Sequence, residues 1–244
     1  MSLLLDVRNV SLAYGVNRVV RDVSFSVEEG EAYAILGPNG AGKTSILRAV
    51  SGLMPVVDGD IVFRGQSLVS QSPHTIVFRG LSHVPEGRKI FPEMSVLENL
   101  MVGATVRIRD RKRVGELLDR SFELFPILKE KAKQAGGSLS GGQQQQLTVA
   151  RGLMADPKLL IVDEPTLGLA PVIIKAMAGM FDKLLHLGLT LLVAEQNADF
   201  ALKVASRGVV ISNGRISFQG SVDMLGRGGA LRRAYLGGQV RVRR

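Results

Sequence analysis

The stretch A-Y-A-I-L-G-P-N-G-A-G-K-T, Ala32 to Thr44, runs from an uncharged apolar segment straight into glycines. Ala32 to Leu36 is short and wholly apolar, as a strand buried in a parallel sheet is. Gly37 to Thr44 satisfies G-x-x-x-x-G-K-[ST], and S-I-L-R-A-V, from Ser45, continues as helix. Glycines allow backbone N–H groups to close around phosphate, and the helix behind them turns its positive end toward the same place. Gly37, Pro38, Asn39, Gly40, Ala41, Gly42, Lys43, Thr44 and Ser45 are therefore the candidate phosphate-binding residues. Within them Lys43 is expected to reach the β and γ phosphates and Thr44 to ligate Mg²⁺.

Downstream, L-L-I-V-D-E, Leu159 to Glu164, is a second buried strand, ending in two carboxylates. Next to a phosphate loop, Asp163 is expected to hold Mg²⁺ and Glu164 to face an attacking water. These two motifs alone fit kinases, GTPases and several kinds of ATPase.

The rest of the chain surrounds them with α/β grammar. L-L-L-D-V-R-N-V and V-V-R-D-V-S-F-S-V near the start read as strands, with Val23, Phe25 and Val27 alternating with polar residues. Between about Glu86 and Pro157 the pattern turns helical. Ser95 and Glu98 there form a capping box, and Val114, Leu117, Leu118 and Phe122 recur at the spacing of one apolar helix face. From Lys158 strand and helix alternate again, with a helix expected from about Ala176 to Leu187. Asn213-Gly214 then marks a hairpin.

With 244 residues, 45% hydrophobic content and no cysteine, the chain can bury a large core and makes no disulfide or thiolate metal site. His74, His83 and His186 lack ligand spacing. No apolar run approaches the ~20 residues of a membrane-spanning helix, and Asp6 and Arg8 interrupt what a secretory signal would need, so a cytoplasmic location is expected. The formal charge of +9 points to an anionic partner, whereas 5% aromatic content without tryptophan supplies few platforms for stacking bases.

Ser138 to Leu147, S-L-S-G-G-Q-Q-Q-Q-L, chooses among the phosphate-binding classes. Ser140, Gly141 and Gly142 read as a helix N-terminus with exposed N–H groups, a second anion site, and Gln143 opens a run of good helix formers. L-S-G-G-Q, at this spacing before the acidic strand end, resembles the signature of ATP-binding cassette (ABC) ATPases. The resemblance covers nearly the whole chain. It implies an α/β P-loop NTPase fold with a mainly parallel sheet, an N-terminal antiparallel β subdomain and an inserted helical subdomain. On that pattern residues 1–244 form one ABC ATPase domain, with 1–85 and 158–244 as the core lobe and 86–157 as the helical one. It also implies that Tyr14 stacks on adenine, and that the signature residues close on ATP held by the P-loop of an opposing subunit in a head-to-tail dimer.

Three positions depart from the common family pattern. Glu86 in H-V-P-E-G-R stands where glutamine is usual and is carried over as a metal ligand that cannot donate a hydrogen bond. Gln196 in A-E-Q-N-A replaces the switch histidine, keeping a donor but not a proton-carrying ring. Ala170 in L-G-L-A-P replaces an aspartate. Together these segments resemble the ATPase chains of branched-chain amino-acid importers and their amide or urea relatives. In that branch two different ATPase chains sit beneath two membrane permease subunits, served by a substrate-binding protein. The expected location is then the inner face of the cell membrane, with ATP and Mg²⁺ as ligands and nucleic acid an unlikely partner. The alternative is a soluble ABC-type ATPase acting on nucleic acid or ribosomes.

Overall fold

A computed structural model describes residues 2–227. The basic C-terminal R-V-R-R lies outside them. β1 (Leu3–Tyr14) and β2 (Asn17–Glu28) form an antiparallel hairpin, followed by β3 (Ala32–Leu36) and α1 (Lys43–Val50). Next come β4 (Asp58–Phe63), the short β5 (Gln66–Ser67), α2 (Pro73–Phe78) and β6 (Leu81–Val84). The helices α3 (Val96–Gly103), α4 (Arg111–Leu124), α5 (Pro126–Glu130) and α6 (Gly141–Leu153) then fill the chain up to β7 (Leu159–Asp163). The remainder runs α7 (Pro171–His186), β8 (Thr190–Glu195), α8 (Ala198–Val204), β9 (Arg207–Ser212), β10 (Arg215–Ser221) and α9 (Val222–Arg227).

Two sheets result. One is antiparallel, in the order β2-β1-β4-β5, and the other runs β10-β9-β3-β8-β7-β6 with only β10 antiparallel. Every residue of β3, β7 and β8 is buried. Apart from Thr190 and the terminal acids Asp163 and Glu195, their sequences read as apolar runs because both faces are covered, yet the pleat still divides the side chains. Ala32, Ala34 and Leu36 join the core beneath the helices, while Tyr33 and Ile35 join the one shared with α1 and the antiparallel sheet. Leu160 and Val162 oppose Leu159 and Ile161 in the same way.

Parallel pairing brings the site segments to a common edge. Val84 lies beside Val162, Asp163 beside Ala194, and Glu195 beside Leu36. The loops after β6, β7, β8 and β3 therefore leave the sheet together at its carboxyl end, where open α/β sheets bind ligands. The hairpin at Asn213-Gly214 forms as the sequence predicts, both residues having positive φ. α7 differs from expectation by starting at Pro171 rather than near Ala176. Proline at the first helical position has its φ already set and loses no needed N–H, so the helix nucleates earlier than the apolar periodicity indicates.

Candidate functional site

α1 starts at Lys43 behind Gly42, whose φ of 111° is open only to glycine. Gly37 is equally constrained, because a Cβ there would stand 2.4 Å from the Ile211 carbonyl oxygen. Lys43 is 4% exposed. Its Nζ donates to the carbonyl oxygens of Gly37 at 2.9 Å and Pro38 at 3.2 Å, and meets Glu164 Oε1 at 2.9 Å.

β7 delivers the acidic pair. Asp163 is 1% exposed, and burial is the main reason its carboxyl is pushed up to about 6. A hydrogen bond with Thr44 opposes that rise, and the Glu86 and Glu164 charges add to it. Asp163 Oδ1 is buried with no hydrogen-bond partner. Glu164 sits in the left-handed region at φ 45° and donates its N–H to the Ala194 carbonyl at 2.9 Å. A non-glycine residue held there is strained, and such strain gathers at working sites.

The lone buried oxygen of Asp163, beside a hydroxyl and facing the Glu86 charge, fits a hard divalent cation. Among the described residues no three His, Cys, Asp or Glu side chains converge as a protein-only cage.

β8 supplies a residue that sequence reasoning quoted without assigning. Glu195 is 1% exposed, and its carboxylate accepts the N–H of Thr166 at 3.0 Å and of Asn197 at 2.9 Å. It joins the segment after Glu164 to the segment carrying Gln196, and burial holds its pKa above the ordinary glutamate value. An acid ending an apolar strand is the available signal, as in the Asp163–Glu164 pair. Gln196 itself is exposed, in the bend between β8 and α8.

Tyr14, half-exposed at the end of β1, reaches α1 through its hydroxyl, 3.5 Å from Ser45 Oγ and 3.4 Å from an Arg48 nitrogen. The Ser45 hydrogen bond, and then Arg48, bring its pKa below the usual tyrosine value. Ser140, Gly141, Gly142 and Gln143 stand apart from this cluster at the start of α6. There Ser140 accepts from the Gln143 N–H at 3.4 Å and Gln143 Oε1 from the Ser140 N–H at 3.0 Å, closing a capping box. The start of α6 is closely approached by neighbouring side chains. A Cβ on Gly141 would meet the Arg88 guanidinium at 2.5 Å, and one on Gly142 would meet Ile173 at 3.0 Å. Ala170 occupies the N-cap of α7 with extended backbone and no side-chain cap.

Comparison with known proteins identifies the family and the fold. The family model described as ABC transporter matches residues 20–167. The chain is 41% identical to the high-affinity branched-chain amino acid transport ATP-binding protein BraG of Pseudomonas aeruginosa, over 96% of this chain and 100% of that one. It is 33% identical to the probable branched-chain amino acid transport ATP-binding protein LivF of Archaeoglobus fulgidus, over 89% and 93%. It is also 33% identical to the lipopolysaccharide export system ATP-binding protein LptB of Escherichia coli, over 98% and 99%. Among solved structures, an ATP-binding subunit of an ABC transporter superposes with a TM-score of 0.81 at 29% identity, covering 96% of each chain. The ADP conformation of the ATP-binding cassette MJ1267 gives 0.84 at 24% identity, covering 97% of this chain and 100% of that one, a likeness of fold.

Proposed function

The chain belongs to the ABC transporter family of ATPases, and from that premise we propose that it is a motor subunit of an importer for branched-chain amino acids or related small amides. The observation that carries the transport reading is the end-to-end 41% identity to BraG, against 33% to the lipopolysaccharide-export relative LptB. No helix among the described residues is long and apolar enough to cross a membrane. In this proposal separate permease subunits supply the path, and this chain works peripherally on the inner membrane face. Residues 86–157 act as the helical lobe that meets them, and residues 1–85 with 158–244 act as the ATP-binding core.

In this reading Gly37 to Ser45 cradle the phosphates of ATP and Tyr14 lies against the base. Lys43 exchanges the Glu164 carboxylate for phosphate oxygens, which frees Glu164 to accept a proton from the attacking water. Thr44, Asp163 and Glu86 hold Mg²⁺, which when bound neutralises phosphate charge. Gln196 donates a hydrogen bond toward the γ-phosphate. Ser140, Gly141, Gly142 and Gln143 serve the nucleotide of a second ATPase chain, so each site is completed across a dimer seam. The pairing we favour is with a different, histidine-bearing chain, whose site this intact signature completes.

The test is reconstitution with a partner ATPase and two permeases in liposomes, measuring ATP-dependent uptake of leucine with a cognate binding protein. Uptake lost in Glu164→Gln supports the proposal. ATP hydrolysis without transport of any branched-chain amino acid or small amide would refute the importer assignment while leaving the ATPase intact.

A further inference from the structure

V-P-E-G-R ends in an arginine that the reading above leaves without a task. Arg88 follows Glu86 and Gly87 in the loop after β6, and it adopts a left-handed backbone at φ 49°. One guanidinium nitrogen donates to the carbonyl oxygens of Leu167 at 3.2 Å and Gly168 at 3.1 Å, in the turn before α7. Another lies 2.5 Å from where a Cβ on Gly141 would stand, against the first residue of α6. A single side chain thus touches the turn behind the acidic strand end and the start of the signature helix.

The loop that carries Arg88 is itself bolted to the helical lobe. Asn99 of α3, fully buried, accepts the Phe91 N–H at 2.8 Å and donates to the carbonyls of Phe91 at 2.9 Å, Ser95 at 3.0 Å and Met94 at 3.2 Å. Arg151 of α6 donates to the Lys89 carbonyl and sits 5.3 Å above the Phe91 ring. Residues 89–91 consequently follow α3 and α6, while Arg88 reaches out to the core.

We propose that Arg88 is a positioning residue for ATP hydrolysis. It holds the Leu167–Gly168 turn against the N-terminus of α6, so that a displacement of the Glu86 loop on nucleotide binding is passed to both segments at once. Arginine suits the task because one terminal nitrogen serves the two carbonyls while the other lies against a glycine, and lysine has a single nitrogen for both places. The inference rests on the assignment of the ATP site under Proposed function.

Hydrogen–deuterium exchange of the full chain, with and without MgATP and in a Glu164→Gln background that retains nucleotide, separates the two ideas. In the parent, MgATP is expected to slow exchange at 43–50, 140–146 and 166–170. With Arg88→Ala the protection at 43–50 should persist, while that at 140–146 and 166–170 falls at least fivefold and Arg88→Lys restores part of it. If Arg88→Ala does not fold, Arg88→Gln carries the same comparison. Undiminished protection at 140–146 and 166–170 in the variant, or none there in the parent, overturns the proposal. Failure of MgATP to protect 43–50 in the parent would instead overturn the assignment of the ATP site.

Discussion

The Lys43 ammonium lies 2.9 Å from the Glu164 carboxylate, in a pocket that leaves the two side chains 4% and 8% exposed. With the Gly37 and Pro38 carbonyls, Glu164 occupies all of the lysine's donors. In the proposed function phosphate displaces one of these partners, and the carboxylate is the one on a side chain. Glu164→Gln is expected to bind ATP several-fold more tightly, because a neutral amide competes less well for the ammonium. Its turnover should fall by about a hundredfold or more through loss of the base. Titration with a fluorescent ATP analogue, alongside phosphate release, checks both. Weaker binding in the variant would mean that the ion pair helps to build the site rather than to guard it.

Gln196 follows directly on Glu195, whose carboxylate holds the Asn197 N–H at 2.9 Å. The backbone on one side of the switch position is therefore already anchored. A hydrogen bond to a charged group contributes about 1.5 to 3 kcal/mol, roughly ten- to a hundredfold in rate. Gln196→His is expected to raise hydrolysis at this chain's own site by about that factor in the assembled complex. A single-turnover measurement with the partner's site disabled reads it, and an unchanged or lower rate would reject the idea that glutamine slows this site.

Ala170 has the extended backbone of an N-cap but no side chain to cap with. Ala170→Asp is expected to stabilise the chain by about 1 kcal/mol, through a cap to α7 and a favourable charge at its N-terminus. Urea unfolding should report a higher midpoint with an unchanged slope. A lower midpoint would mean that the new carboxylate is repelled by the acidic site behind it.

His83 bonds Ser51 through Nδ1 at 3.0 Å, and its Nε2 is buried without a partner. Burial first, and then the Arg48 charge, bring its pKa down to about 4 from 6.5. The folded-state value is depressed, so the unfolded chain takes up this proton first as pH falls. Stability is full above pH ~6.5 and declines toward pH ~4, by about 2 kcal/mol at pH ~5 from this group alone. His83→Asn should remove that part of the acid destabilisation, as measured by denaturant midpoints at pH ~7.5 and ~5. An identical pH dependence in the variant would place the acid sensitivity elsewhere.

Much of the site was legible from residue order because its parts are local. Gly37 to Thr44, the acidic strand end and the Ser140–Gln143 cap each lie within a few consecutive residues, and each has a backbone reason for its residue types. The cap at Ser95, the helix start at Ser140 and the hairpin at Asn213-Gly214 are also local hydrogen-bonding and φ preferences, which a linear reading can detect. The start of α7 was less legible, because its first turn is set by Pro171 and not by apolar spacing.

The sequence by itself determined the α/β grammar, the glycine-rich loop between strand and helix, the paired carboxylates and the family to which they belong. Only the tertiary structure decided that Lys43 rests on Glu164, that Glu195 joins the segments after β7 and β8, and that Arg88 spans from the Glu86 loop to Leu167 and Gly141. These contacts join residues far apart in the chain. They arise because parallel strands bring distant loops to one edge of the sheet, and because buried charges and backbone groups must find partners wherever packing puts them.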